Sequence, residues 1–328
     1  MNRREIIRYS CALLGASGLG VSGAFAAQKI LNIYSEQKRD EKIVHCGGPD
    51  NASFQFLHTS LKRGELSITG TRLLKDGFLD DLATPYMEDS GRLLKVLGGD
   101  CSKGIGAVRF NQTHLGSLCC PVKGSPGEGL GWLPVAEDLK IVLTHPSNPV
   151  SSLDIGELRA IVSGKIKRWS EVGGEDIPIA LVVDRHCPDF MEPVRQVLLN
   201  GDSYPTKNVL TANNDQDMLR TVGRFRSSIA INSWVIAAPF VEQGILKDLA
   251  VNGIRAHSNG AIADDYPLSG PFNLIFKYWD PVAMGPFFDF LFSPRGRELI
   301  QRKLRPINKE EAFNIGYLPR INSRQSLL

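Results

Sequence analysis

LKIVLTHPSNPV (residues 139–150), then LDIGELRAIVSGKIKRWSEVGG (153–174) and the run 177–183, is the stretch whose pattern decides the fold. Residues 139–144 are continuously apolar apart from Lys140 and Thr144, the signature of a buried strand. His145-Pro146-Ser147-Asn148-Pro149-Val150 reads as a rigid turn, with proline fixing φ and Asn and Ser capping. A short helix follows, and an apolar strand over 177–183 closes the unit. Strand, turn, helix and strand in succession are the grammar of an α/β protein.

The same grammar extends toward the N-terminus. Leu66-Ser67-Ile68 forms a strand ending at Thr69-Gly70-Thr71, and residues 78–84 form a helix, apolar at 78, 79, 82 and 83, that Pro85 is expected to stop. Residues 93–97 form the next strand. It enters Gly98-Gly99-Asp100-Cys101-Ser102-Lys103-Gly104, followed by a helix from Ile105 toward Phe110 and a strand over 115–118. A glycine-rich turn from strand to helix aims free backbone N–H groups beyond the strand end, where the helix dipole favours negative charge. The spacing suits an anion, but not a nucleotide: neither a phosphate-loop Gly-x-x-x-x-Gly-Lys-Ser/Thr nor a Gly-x-Gly-x-x-Gly occurs.

Composition sets outer bounds. The chain has 328 residues, 42% hydrophobic and 8% aromatic, and 38 Lys+Arg against 35 Asp+Glu give a net charge of +3, too small for a dedicated nucleic-acid binder. Residues 1–26 read as an export signal. Arg3, Arg4 and Arg8 precede a weakly apolar stretch, Ala24-Phe25-Ala26 is a small-x-small cleavage site, and Asn2-Arg3-Arg4-Glu5-Ile6-Ile7-Arg8 resembles a twin-arginine signal. Its removal leaves 35 basic and 34 acidic residues. The expected location is periplasmic or otherwise extracytoplasmic. Cys46, Cys101, Cys119, Cys120 and Cys187 remain, five thiols for which one or two bridges with one left over is the simplest expectation.

The run 153–174 resembles the segment of periplasmic phosphate-binding proteins, the solute receptors of phosphate ABC transporters, that reads as a short helix, Gly-Lys-Ile and then Trp. Three further stretches fall into the same order: Thr69-Gly70-Thr71, similar to the first ligand loop; Ser102-Lys103-Gly104-Ile105 with Leu115-Gly116-Ser117, similar to the second; and Asp265-Tyr266-Pro267-Leu268-Ser269-Gly270-Pro271 with the Phe-rich run to Gly296, similar to the return strand and terminal helix. The likeness spans about residues 65–310. It implies a type II two-lobed α/β solute-binding fold, with mixed sheets flanked by helices and two crossover hinge strands near 139–144 and 268–275. Its implied organisation is an extension at 27–64 of unassigned role, lobe one from 65–138 plus 270–328, and lobe two from 139–269. The implied function is to hold a small phosphate-like oxyanion between the lobes for an ABC permease, with no enzymatic reaction, no cofactor, no nucleic acid, and a monomeric state.

The resemblance implies ligand contacts from Thr69, Gly70, Thr71, Asp100, Cys101, Ser102, Lys103, Ser117, Cys119, Arg185 and Cys187. Departures fall among these same loops. Family members carry Ser-Gly near Asp100-Cys101 and a Ser-Gly-Thr cluster after an arginine like Arg185, whereas this chain reads Arg185-His186-Cys187-Pro188-Asp189-Phe190. Cysteines in those loops suit a second reading, a soft metal or metalloid ion bound by Cys101, Cys119 or Cys120, and Cys187. A third is a periplasmic sensor or accessory protein that keeps the fold without serving a permease. No helical His-x-x-x-His and no Gly-x-Ser-x-Gly occurs, which disfavours zinc and serine hydrolases. Asp80-Asp81 and Asp264-Asp265 read as solvated faces or caps, and Trp132, Trp169, Trp234 and Trp279 as core.

Overall fold

A computed structural model describes residues 64–184, 194–200, 209–258 and 261–319. The export signal and, Gly64 apart, the extension therefore lie outside the described residues, as do Arg185 and Cys187. From Gly64 the chain enters strand β1 (Glu65–Thr71) and a continuous helical run made of α1 (Arg72–Leu74), a π-helical segment (Lys75–Leu79) and α2 (Asp80–Ser90). Strand β2 (Leu93–Gly99), helix α3 (Cys101–Arg109) and strand β3 (Leu115–Leu118) complete a parallel unit.

Contrary to the sequence expectation, Pro85 does not stop its helix. The run continues to Ser90 and ends at Gly91, whose left-handed φ of 67° lets its N–H return to the Met87 carbonyl at 2.9 Å. Proline forfeits one ladder hydrogen bond, but Phe78, Leu79, Leu82 and Tyr86 are wholly buried along this run, and their burial outweighs it.

Strand β4 (Gly131–Thr144) is longer than its apolar half suggests, starting eight residues before Leu139. It is followed by β5 (Ser152–Leu153), α4 (Ile155–Val162), a 3₁₀ turn (Trp169–Val172), β6 (Ala180–Asp184), α5 (Val194–Leu199), β7 (Val209–Ala212), α6 (Asp215–Arg224), β8 (Ser228–Ser233), α7 (Trp234–Glu242) and β9 (Lys247–Val251). Helix α4 starts in a reciprocal capping box between Asp154 and Glu157. Residues 177–179, expected in a strand, instead brace the 3₁₀ turn: Trp169 N–H donates to the Ile177 carbonyl and Ile179 N–H to that of Lys167. Pro178 has no N–H for a ladder. The small hairpin β10 (His257–Ser258) and β11 (Ala261–Ile262) precedes β12 (Ser269–Phe276), α8 (Gly285–Leu291), α9 (Pro294–Gln301), β13 (Arg305–Pro306) and α10 (Lys309–Ile315).

The main sheet has strand order β2-β1-β3-β12-β4-β8-β6-β7, with β13, β9 and β5 attached beside β4 and β9. Strands β1, β2 and β3 are parallel, as are β6, β7 and β8, while β12 and β4 run antiparallel to their neighbours. Strand β4 belongs to both halves. Its residues Gly131 to Leu139 pair with β12, and from Lys140 to Thr144 it pairs with β8.

Hydrophobic packing follows this handover. One core gathers Leu139, Val142, Leu158, Trp169, Met218 and Trp234, among others. A second gathers Leu66, Phe78, Val135, Phe272 and the aromatic cluster at Phe287 to Phe292, and a small satellite holds Cys101, Cys120 and Ile275. Two lobes joined by the β4 and β12 strands result. Of the four tryptophans, Trp169 and Trp234 are buried and Trp132 and Trp279 pack partly against the cores. Among the described residues no helix is long and apolar enough to cross a membrane.

Candidate functional site

In open α/β sheets ligands collect beyond the carboxyl ends of parallel strands, because free N–H groups and helix starts converge there. Register places Gly98, Gly70 and Ser117 side by side at the ends of β2, β1 and β3. Helix α3 closes over this row. Gly104 lies so near that a Cβ there would sit 2.8 Å from the Thr69 carbonyl, and a Cβ on Gly70 would sit 2.4 Å from the Ser117 carbonyl oxygen. Only glycine permits that approach.

The side chains of this wall have definite partners. Thr71 caps the helical run, its hydroxyl accepting from Leu73 N–H at 3.2 Å. Asp100 caps α3, accepting from Lys103 N–H at 2.7 Å, so the helix starts at Cys101 and not at Ile105 as its apolar pattern suggests. The Thr69 hydroxyl is buried with no hydrogen-bond partner among the described residues. Ser117 is buried behind Gly70. Cys101 is buried at the first turn of α3, and its Sγ lies 3.6 Å from Sγ of Cys119. That contact, followed by burial, pushes the Cys119 thiol well above its ordinary value, with Lys140 and Thr71 acting in the opposite direction. None of Cys101, Cys119 and Cys120 is in a disulfide among the described residues.

Of the residues singled out from sequence, Thr69, Gly70, Thr71, Asp100, Cys101, Ser102, Ser117 and Cys119 thus converge on the strand ends and the α3 start of lobe one. Lys103 is on the exposed face of α3. Arg185 and Cys187 fall outside the described residues.

Sequence reasoning passed over the charged centre of the hinge. Asp138 and Lys140, two apart on β4, project from one face of the strand, and Lys140 Nζ donates to Asp138 Oδ2 at 2.5 Å. Both are buried, Asp138 completely. The Ser233 hydroxyl donates to Asp138 Oδ1 at 2.8 Å from the start of α7. Next to it, Asn232 donates to Asp215 at the start of α6. Burial pushes the Asp138 carboxyl up, against the pull of Lys140 and Ser233. Burial alone would lower Lys140, yet the ammonium ends above the ordinary lysine value because Asp138, Cys119 and Asp215 favour its charge. Lys140 therefore feels Cys119 of lobe one and Asp215 of lobe two at once. The available signal was the break of an apolar run by Glu137-Asp138 and Lys140, since charge in a central strand survives only when paired.

A separate shallow surface hollow touching Ser147, Trp169, Glu175 and Arg226 lies at the opposite ends of β6 and β8 and gathers none of these groups.

Residues 58–186 match the model of a PBP superfamily domain. The chain is 21% identical over 211 residues to the phosphate-binding protein PstS of Bacillus subtilis (strain 168), covering 62% of this chain and 67% of that protein. Two solved structures are similar at 21% identity over 74% of this chain and 100% of theirs. They are a putative phosphate ABC transporter substrate-binding protein with bound phosphate from Clostridium perfringens, TM-score 0.61, and an ABC-type phosphate transport receptor from Vibrio cholerae, TM-score 0.57. With the strand order and twin cores above, these likenesses give the chain the two-lobed fold of the solved phosphate-receptor structures it resembles.

Proposed function

We propose that the protein is an exported solute-binding receptor that holds a small phosphate-like oxyanion between its lobes and performs no covalent chemistry. The observation that carries this reading is the lobe-one wall. Three parallel strand ends, a capped helix start and a buried, unpartnered Thr69 hydroxyl converge where an anion would be met by N–H and O–H donors. Similarity to proteins described as phosphate receptors points to the same ligand class. On this reading residues 65–138 with 270–328 form lobe one and 139–269 lobe two, and Thr69, Gly70, Thr71, Asp100, Cys101, Ser102 and Ser117 contribute the lobe-one contacts. Residues 1–26 direct export by the twin-arginine route, the mature protein is a monomer, and the closed form is presented to an ABC permease. Calorimetric titration of the mature protein with inorganic phosphate tests the reading. Saturable binding is expected, and the absence of heat and of thermal stabilisation with millimolar phosphate, arsenate and sulfate alike would sink it.

One observation favours a second reading. Two thiols 3.6 Å apart, Cys101 and Cys119, could share a thiophilic ion after losing their protons. Among the described residues they acquire no third Cys, His, Asp or Glu ligand. Stabilisation by Cu⁺ or arsenite that vanishes in Cys101→Ser, with phosphate inert, would favour it.

A further inference from the structure

The lobe-one wall offers donors but no buried positive charge. The hinge does. Lys140 is 7% exposed, lies where β4 passes from β12 to β8, and is fixed through its backbone: its N–H donates to the Leu268 carbonyl at 2.8 Å, and the Tyr266 hydroxyl donates to its carbonyl at 3.2 Å. An ammonium has three N–H donors. Among the described residues Asp138 is the one hydrogen-bond acceptor of Nζ, and the ammonium otherwise meets only the face of the Phe272 ring, 6.0 Å from its centroid, so two N–H groups of a buried cation have no oxygen or nitrogen acceptor. Charged groups in a protein interior do not keep spare donors without a partner to meet them.

The surroundings indicate where those donors lead. The ammonium lies over Phe272 of β12, the strand between β4 and β3. Cys119, just past the end of β3 and 3.6 Å from Cys101, and Asp215 both favour its charge. The rest of the cluster is already engaged. Asp138 is shared between Lys140 and Ser233, and Asp215 takes the Asn232 amide. We infer that Lys140 is an anion-binding residue of the cleft, its ammonium donating directly to a compact oxyanion, while Asp138 holds the chain extended from the hinge strand toward the lobe-one loops. This deepens the receptor reading and rests on it. In this chain, positive charge comes from the strand shared by both lobes, so the anion binds at the axis about which they move.

The carboxylates bound the ligand class. Beside the single ammonium of Lys140 stand the carboxyl groups of Asp138 and Asp215, and the contact with Cys101 and burial push the Cys119 thiol well up, toward its protonated form. A small oxyanion that keeps a proton meets less repulsion here than a fully ionised one, and its O–H has carboxylate oxygens to donate to.

The test uses the mature protein, with inorganic phosphate as probe and sulfate, which carries no proton near neutral pH, as comparison. Lys140→Gln alone would leave Asp138 buried without its counter-ion, so the measured variant is Lys140→Gln with Asp138→Asn, a neutral hydrogen-bonding pair, with Lys140→Arg as the charge-conserving control. Expected is a loss of phosphate affinity of at least about tenfold in the double variant at a retained unfolding transition, with partial recovery in Lys140→Arg and weaker sulfate binding throughout. Wild-type binding that the folded double variant keeps within about twofold would overturn the role of Lys140 and leave the receptor reading standing. Wild-type protein that binds neither anion would overturn the receptor reading and this inference together.

Discussion

At Gly70 the chain passes the Ser117 carbonyl and hydroxyl at a separation where a methyl group would lie 2.4 Å from both oxygens. Gly70→Ala is therefore expected to cost about 1–3 kcal/mol, read as a lower denaturant midpoint at unchanged m-value. Asp138→Ala is expected to cost more, about 3–5 kcal/mol, because it strands a buried ammonium; an unchanged midpoint would mean that Lys140 is wetter than the structure places it. His114 supplies a pH dependence. Burial lowers it from 6.5, against Asp280 and Glu65, and its Nδ1 accepts from Ser67 N–H at 3.1 Å, which fixes the neutral form with the proton on Nε2. A folded-state pKa below the unfolded one contributes stability above the unfolded value that is lost as pH falls through the folded value. Stability should thus decline below pH 6.5, and His114→Gln should flatten that slope in acid titrations followed by circular dichroism. Thr69, Gly70 and Thr71 were readable as the end of a strand, because glycine between hydroxyl residues interrupts the apolar pattern there. Lys140 was not, because its partners, Asp138 apart, lie far away in the chain.

Among the elements, β4 departs furthest from its sequence pattern. Apolar periodicity identifies residues 139–144, but the first eight residues are concealed by Pro134, Glu137 and Asp138, whose presence in a central strand depends on distant partners. Arg305 of β13 is one such partner. It donates to Glu137 at 2.5 Å, to the Ser269 hydroxyl at 2.9 Å and to the Asp264 carbonyl, tying β13, β4, β12 and the incoming loop into one clamp. Arg305→Ala should lower stability by about 1–2 kcal/mol and accelerate amide exchange near Asp264 to Gly270 more than in the helices. Uniform exchange would show that the clamp is dispensable. Pro85 illustrates the converse error: a strong local breaker was overruled by burial of Leu82 and Tyr86 on either side, which no local pattern reports.

At the scale of the molecule, two cores with a strand pair between them suit hinge motion, because each lobe keeps its packing while β4 and β12 flex. Small-angle scattering of the mature protein should show a smaller radius of gyration with phosphate than without it, and an identical profile would remove the hinge from the proposed function. The two-lobed fold was legible because strand, turn and helix signals recur in a fixed order over most of the chain. The charged hinge centre was illegible because it assembles from β4, β8, α6 and α7, and no spacing rule connects Asp138 to Ser233 or Asp215. The shared strand also governs how the gene can be dissected. Cutting or transplanting the protein at residues 131–144 would rob both halves of a sheet member, so chimeras and circular permutants should be joined elsewhere, and swapping one lobe between relatives requires carrying β4 along intact.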